Sequence, residues 1–236
     1  MYPSTVRADL RLTPSTINIG IFFAGQRVRV SGTIPVGSKA VLEVIGNRIE
    51  EQLLRKAQRW DIWMNVGEID IENAPSLYFA LSTDQDAFGE QGDKNLFGYT
   101  TLRKRITFVG DVQGLARSDV FQEFIDLKES ENLYSLLPSA LKVTPSSEKQ
   151  LNVEGFFTIP PRVAPGDYQL RLSVYKEDRI VRSESTRLTV KMVGLPAFLA
   201  DLAHNHGSVY GIFAIVLAVI FGFMVGFIFR RVNQTN

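Results

Sequence analysis

Apolar and polar residues alternate along much of the first half of the chain, which is the period-two pattern of strands that bury one face. Turn-forming sequences separate these stretches at short intervals, for example Pro35-Val36-Gly37 and Gly46-Asn47. Many short strands with regular turns predict a mainly β fold of the immunoglobulin-like β-sandwich type. The predicted strands in this half are residues 26–33, 40–45, 60–66, 77–82 and 103–109.

The alternation stops at residues 118–137, where apolar side chains return at helical spacing. Ser118 or Asp119 can cap the start of this helix, and Pro138 stops it. Strands resume at 141–143, 151–159, 166–175 and 180–193. The pattern therefore predicts a β-sandwich within residues 1–112, a bridging helix within 113–139 and a second β unit within 140–194.

Near the C-terminus, residues 209–229 read VYGIFAIVLAVIFGFMVGFIF and contain no charged side chain. At 1.5 Å per residue this helix spans about 31 Å, which matches the hydrocarbon core of a bilayer at ~30 Å. The core helix of a soluble protein is seldom so long and apolar on every face. We therefore predict one transmembrane helix at 209–229.

The flanks of this segment predict its orientation. Arg230 and Arg231 follow it at once, whereas the upstream flank offers one acidic residue and two histidines. Under the positive-inside rule these arginines anchor the tail 230–236 in the cytoplasm and leave residues 1–208 outside. We therefore expect a bacterial inner-membrane protein whose body lies in the periplasm.

The first residues leave the route of insertion open. Residues 1–12 lack the basic and apolar regions of a signal peptide. Either a signal has been removed, or the numbering begins inside a longer gene product, or the protein is inserted from its C-terminal end. The last route leaves the body in the cytoplasm.

One face of the predicted span consists of small residues. Ala214, Ala218, Gly222 and Gly226 recur every four residues, and the last two form a GxxxG motif. Such a stripe lets a second helix approach closely, and close packing drives helix association in lipid. The sequence predicts helix packing along this stripe, with a homodimer and a different membrane subunit as the two possible partners.

A juxtamembrane segment, residues 195–208, precedes the span. Its apolar side chains are spaced as on one side of a helix, which predicts a short amphipathic helix at the membrane interface. These side chains are Leu195, Phe198, Leu199 and Leu202.

The chain's two histidines lie in the same region. His204 and His206, with Tyr210, are predicted to contact the interface or a partner. The His-x-His pair could ligate a metal or haem, but no third ligand is near in the sequence. With only these two histidines, both beside the membrane, a Ser-His-Asp triad in the β body is implausible.

Two charged motifs in the first half are weaker candidates. The loop Asp84-Gln85-Asp86-Ala87-Phe88-Gly89 resembles the start of a calcium loop, but its fifth position is Phe88 and its twelfth is Asn95, where a glutamate belongs. A solvated acidic loop is the better interpretation. The run Arg103-Lys104-Arg105 is interpreted as the solvent-facing edge of a strand, which discourages aggregation.

Composition narrows the function classes further. With 45% apolar and 22% charged residues the chain is foldable, and its net charge of +1 gives no field to attract nucleic acid. It contains no cysteine, which excludes disulfides, thiolate catalysis and cysteine-ligated metals. We find no phosphate loop and no dinucleotide fingerprint. We therefore predict no cofactor, no metal, no catalytic residues and no nucleic-acid partner.

Several short motifs along nearly the whole chain carry a family resemblance. They are Ile62-Trp63-Met64-Asn65, Pro75 with Tyr78, Asn132-Leu133-Tyr134, residues 163–168, Lys191-Met192-Val193-Gly194, Ala203-His204, Tyr210-Gly211 and residues 222–231. With them the chain resembles an uncharacterised bacterial family of transmembrane proteins first described in Alphaproteobacteria. The resemblance implies a periplasmic body and one C-terminal span, in genes that often neighbour a sulfite-exporter-type permease and sometimes cytochromes.

These observations predict a non-catalytic accessory subunit of an inner-membrane complex, associated with transport or electron transfer. Its partners are the lipid bilayer and a second membrane protein or a second copy. The alternative is a membrane-tethered periplasmic sensor or donor that binds a ligand or metal through His204, His206 or the Asp84–Asp86 loop. A membrane-tethered hydrolase has the weakest support, because no catalytic group is visible.

Overall fold

The computed structural model describes residues 10–59, 62–88, 96–110, 117–177 and 179–232. Strands dominate, and the helices lie between or after them. The strands are β1 (Arg11–Thr13), β2 (Thr16–Ile19), β3 (Gln26–Pro35), β4 (Lys39–Ile45), β5 (Arg48–Arg59), β6 (Ile62–Pro75), β7 (Tyr78–Ser82), β8 (Thr107–Gly110), β9 (Tyr134–Leu137), β10 (Lys142–Ser147), β11 (Gln150–Ile159), β12 (Gly166–Lys176) and β13 (Arg179–Met192). The helices are α1 (Tyr99–Arg103), α2 (Arg117–Ser130), α3 (Leu195–Asn205) and α4 (Gly207–Val232).

Two antiparallel-rich sheets build the β body. One has the order β1-β3-β11-β10, and the other has the order β2-β13-β12-β4-β7-β9. Their apolar faces meet: the rings of Phe79 and Phe157 lie 6.1 Å apart edge to face, and a Cβ built on Gly32 would come within 3.2 Å of Leu172. A separate sheet has the order β5-β6-β8. Its first two strands lie between β4 and β7 in the chain, and β8 comes after α1. The predicted mainly β, sandwich-type fold is confirmed.

Alternation in the sequence explains why these strands form where they do. In β3, Val28, Val30 and Ile34 are buried, while the alternate residues Arg27 and Arg29 are exposed. β11 pairs with β3 along its whole length and repeats the pattern with its own buried apolar residues. Burial of one face of each strand against the other sheet is the main stabilising term for such a core.

The boundary predicted at residue 140 does not separate two β units. β11 pairs with β3, and β12 pairs with β4, so each large sheet contains strands from residues 1–112 and from 140–194. The prediction failed because a sequence pattern shows which face of a strand is buried but not which distant strand pairs with it. Residues Met1–Ile17 and Phe23–Lys191 form one compact unit.

The predicted helix at 118–137 is shorter in the structure. α2 ends at Ser130, and Asn132 adopts a positive φ of 59°. The N–H of Leu133 donates to the carbonyl of Lys128, and that of Asn132 donates to Glu129, which is a Schellman ending of a helix. The chain then forms β9, which pairs in parallel with β7.

The basic run Arg103-Lys104-Arg105 does not lie on a strand. Arg103 ends the short helix α1, and Lys104 and Arg105 form the turn before β8. The strand prediction failed because this run ends a helix: the N–H of Arg105 donates to the carbonyl of Leu102, and the strand begins only at Thr107.

The second compact unit consists of Asn18–Phe22 and Met192–Asn236. It contains α3 and α4, which agree with the predicted juxtamembrane helix and the predicted span. Residues Gly207–Gly226 form a helix long and apolar enough to cross a bilayer, and none of it is buried against protein. Among the described residues it is the one helix that meets this criterion.

Candidate functional site

The small-residue stripe lies on α4. Ala214, Ala218, Gly222 and Gly226 are all exposed, and a Cβ built on either glycine would meet nothing within 4 Å. Because a helix turns 100° per residue, positions four apart stay on one side of it. Arg230 and Arg231 fall in the last turn of α4, and their side chains lie outside the described residues.

The histidines lie at the junction of α3 and α4. Nδ1 of His204 lies 2.9 Å from the carbonyl oxygen of Ala200 on its own helix. The N–H of His206 donates to Leu202, and its carbonyl accepts from the N–H of Tyr210, so the two helices follow each other across one residue. Within the described residues no three histidine or carboxylate side chains group as a metal site would need.

The Asp84–Asp86 loop is tied to the β body by its own contacts. Asp84 forms an ion pair with Lys39, and its carbonyl accepts from the hydroxyl of Ser82. The side chain of Gln85 accepts from Ser139 at 3.1 Å. Gly89 and Asn95 of the predicted loop lie outside the described residues. The carboxylate of Asp84 therefore already has a cationic partner.

A buried cluster of tyrosines and carboxylates lies in the β body. The hydroxyl of Tyr78 donates to Glu43 at 2.9 Å and accepts from the N–H of Gly98 at 3.2 Å. Glu43 is only 4% exposed, so its carboxylate depends on such donors for the solvation that burial removes. Burial, with the nearby Glu43 charge and hydrogen bond, raises the pKa of Tyr78 well above its usual value.

Two more rings complete this cluster. Tyr134 packs against Tyr78 with ring centroids 6.1 Å apart, and its hydroxyl donates to the carbonyl of Pro75 at 2.6 Å. The hydroxyl of Tyr99 donates to Glu129 at 2.6 Å. Burial raises the pKa of both Tyr99 and Tyr134, and nearby carboxylates add to the effect. Each hydroxyl is thus a neutral donor with a fixed acceptor, a structural arrangement.

Beside this cluster the body has an open recess, which we name the arginine cleft. Its volume is about 560 Å³. Three arginines line it, Arg48, Arg105 and Arg171, together with polar and apolar residues. The polar residues are Asn47, Asn73, Asp167 and Gln169. The apolar residues are Ile45, Pro75 and Leu102, and Gly46 also lines the recess.

Five elements supply the arginine cleft, namely β4, β5, β6, α1 and β12. β12 contributes Asp167, Gln169 and Arg171 from its outward face, because the alternate residues of this strand, which include Leu170, are buried in the core. Arg48 begins β5, and Arg105 follows α1. Opposite Arg171 on the neighbouring strand stands the buried Glu43, in cross-strand register. The cluster and the cleft are therefore neighbours.

The charge of the cleft is positive. Its one carboxylate, Asp167, accepts hydrogen bonds from Thr189 at 2.8 Å and from Arg187 at 3.3 Å, so its charge is partly compensated from outside the lining. Arg48 donates to the side-chain oxygen of Asn73 at a long 3.5 Å. Three guanidinium groups in one recess form a site for carboxylate or another oxyanion.

Sequence reasoning missed this cleft. The alternation of residues 166–175 shows that Arg171 faces away from the core, but it is silent on what lies beside it. Arg105 belonged to a run interpreted as a strand edge, and β5, which carries Arg48, was not predicted. In the sequence these residues are three arginines far apart in the chain, and no pattern connects them.

A β body followed by one long, lipid-compatible helix defines the class of a single-span membrane-anchored protein. The chain matches the family described as "Putative transmembrane protein (Alph_Pro_TM)" over residues 8–231, and it belongs to this family. The family resemblance found in the sequence is thereby confirmed.

Other comparisons add little. A search of curated proteins finds no match. Among solved structures, the "Putative membrane anchored protein" of Corynebacterium diphtheriae matches with a TM-score of 0.23 and 13% identity. The alignment covers 82% of this chain and 37% of that chain, so this chain spans well under half of that protein's length. A likeness at this TM-score carries no argument about fold or function.

Proposed function

We propose that this protein is a non-catalytic accessory subunit of a bacterial inner-membrane complex associated with transport or electron transfer. Its β body lies in the periplasm and binds a partner, and α4 packs against another membrane helix. The observation that carries the proposal is the arginine cleft, a cationic recess on a body whose chain continues into a membrane span.

The chemistry of the cleft defines the partner surface that fits it. Guanidinium groups bind carboxylates through paired, nearly parallel hydrogen bonds, which gives both strength and direction. Ile45, Pro75 and Leu102 accept apolar carbon beside those charges. We therefore propose an acidic segment of a partner protein as the occupant. The proposal includes no reaction, since the adjacent tyrosines are neutral donors with raised pKa values.

Charge reversal in the cleft tests this binding. We expect Arg105→Glu with Arg171→Glu to lower recovery of the partner from native membranes by tenfold or more, because each lost charged hydrogen bond is worth about 1.5–3 kcal/mol. The measurement is the yield of co-purified protein with the tagged full-length chain at rising salt. Arg162→Glu is the matched control: its side chain is 75% exposed, lies outside the cleft and has a 3.7 Å ion pair with Glu131.

Two results would contradict this assignment. If the partner is recovered equally with the double variant and with Arg162→Glu, the cleft does not bind the partner. The second candidate function is a tethered periplasmic protein that binds a small anion, which the cleft volume also suits. It replaces the first if citrate or sulfate raises the melting temperature of the unmutated protein and not of the double variant, while no protein co-purifies.

The proposed helix contact rests on the stripe of α4. Ala214, Ala218, Gly222 and Gly226 lie along one side, and no part of the membrane-spanning window is buried within this chain. In lipid there is no hydrophobic gain from pairing two apolar helices, so close approach at small residues supplies the packing energy. We propose that another membrane subunit or a second copy covers this side.

Single-cysteine cross-linking tests the helix contact, because the chain contains no native cysteine. We expect Ala218→Cys to cross-link in native membranes, either to a second copy by oxidative disulfide formation or to another subunit after labelling with benzophenone maleimide and illumination. Ile220→Cys is the matched control, since two residues rotate a helix by about 200° to the other side. Equal cross-linking from both positions, or none from either, contradicts packing along the stripe.

Orientation is part of the same proposal. Arg230 and Arg231 follow the apolar segment, while the residues just before it carry few charges. Positive residues are retained on the cytoplasmic side during insertion. This supports a periplasmic body and a cytoplasmic C-terminus.

A further inference from the structure

The turn between β2 and β3 exposes apolar side chains. Phe22 is 95% exposed and Ile21 is 60% exposed, although both are large hydrophobic residues. Single exposed apolar residues are common on protein surfaces, but two in sequence at the tip of a turn need a reason. A Cβ built on Gly20, just before them, would have no heavy atom within 4 Å, so the space beside this residue is open.

This turn belongs to the same compact unit as the two C-terminal helices. Asn18–Phe22 and Met192–Asn236 form one unit, whereas the residues before and after the turn, Met1–Ile17 and Phe23–Lys191, form the other. The N–H of Val193 donates to the carbonyl of Ile19 at 2.9 Å. Because α3 begins two residues after Val193, this bond fixes the turn beside the start of the juxtamembrane helix.

The start of α3 exposes the same kind of surface. Leu195 is 53% exposed and Phe198 is 55% exposed, and a spacing of three residues puts them on one side of the helix. Neither the turn nor residues 192–200 contain an ionisable side chain. Ile21, Phe22, Leu195 and Phe198 are thus exposed apolar side chains of one compact unit, and we name them together the loop–helix patch.

Chain continuity identifies what covers this patch. α3 ends at Asn205 and α4 begins at Gly207, so only one residue separates the helix that carries half of the patch from the helix that spans the bilayer. Aromatic and aliphatic side chains on a segment beside a membrane span partition into the boundary between headgroups and acyl chains. The bilayer that α4 spans is therefore a lipid surface that these apolar side chains can contact.

We propose that the Ile21–Phe22 turn inserts into the membrane interface next to α3 and forms a second lipid contact, distant in sequence from the anchor. The occupant of the loop–helix patch is the same bilayer that α4 spans. The inference rests on membrane anchoring and is independent of the accessory-subunit role in the proposed function.

Spin labels on the full-length chain test this insertion. The chain is reconstituted in vesicles of phosphatidylethanolamine and phosphatidylglycerol, with one label at Phe22→Cys. We expect collisions with oxygen, which concentrates in lipid, to exceed those with a water-soluble nickel chelate several-fold. Val181→Cys is the matched control, because Val181 is similarly exposed at 58% but lies near the opposite end of β13 from Met192. It should show the reverse ratio.

A third label at Ile215→Cys in α4 separates the possible failures. If Ile215 reports lipid and Phe22 reports water, the turn does not insert and the inference is overturned while anchoring stands. If Phe22 is reached by neither reagent, protein covers it and the inference is also overturned. If Ile215 itself reports water, the anchor fails and the inference falls with it.

Discussion

Above pH 10 the β body loses stability steeply, because several tyrosines resist ionisation in the folded state. Burial raises the pKa of Tyr78, Tyr99, Tyr134 and Tyr168 above the usual value of 10. In the unfolded chain these tyrosines ionise near pH 10. Their contribution is therefore complete below pH 10 and is lost as the pH rises toward the folded-state values.

The size of this effect follows from the protons released. For each tyrosine proton that the unfolded chain has lost and the folded chain keeps, the free energy of unfolding falls by about 1.4 kcal/mol per pH unit. The measurement is urea unfolding of the full-length protein in mild detergent from neutral pH to about pH 11, followed by near-ultraviolet circular dichroism.

Tyr78→Phe is the control for this titration. Phenylalanine keeps the ring but removes the proton, so the pH slope should become shallower by about 1.4 kcal/mol per pH unit, whatever the variant costs in absolute stability. All other ionisable side chains are the same in both proteins. An unchanged slope in Tyr78→Phe, or a flat stability curve in the unmutated protein, would rule out this explanation.

Two arginines in the middle of α4 should detach the protein from the membrane. Leu217→Arg with Phe221→Arg places both charges near the centre of the Gly207–Gly226 span, where each costs about 2.5–3.5 kcal/mol on insertion scales. The summed cost removes most of the gain from an otherwise uncharged segment. The measurement is resistance of the full-length protein to alkaline carbonate extraction of membranes.

The matched control adds the same charge where it is tolerated. Val232→Arg places an arginine beside Arg230 and Arg231, beyond the apolar segment, and should leave the protein resistant to extraction. If the double variant stays as firmly integrated as the control, the segment does not rely on contact with lipid, and another attachment must hold the protein.

The two compact units differ in how far local sequence fixed them. α3 and α4 were predicted almost to the residue, because a helix forms its hydrogen bonds within one segment and an apolar span depends only on its own composition. Several strands were placed well because alternation is also visible within one segment, as in β12, where buried Tyr168 and Leu170 lie between exposed neighbours. β5 and β9 were not predicted. The end of α2 was misplaced, since Asn132 in a left-handed conformation stops the helix six residues before Pro138.

The candidate site depended on long-range pairing. Arg48, Arg105 and Arg171 come from three parts of the chain that no local pattern connects, and they meet because β4 pairs with β12 while β5 leaves the end of β4. The pairing of β4 with β7 lets Glu43 be buried next to Tyr78, a contact across 35 positions of sequence.

The sequence alone determined a mainly β body, the membrane helix and its small-residue side, because each rests on the periodicity or composition of one continuous segment. Only the tertiary structure decided how the two predicted β units share their sheets, where the arginines converge and why Phe22 lies beside the juxtamembrane helix. Those features depend on strand partners far apart in the chain, and hydrophobic periodicity specifies which face is buried without specifying its partner.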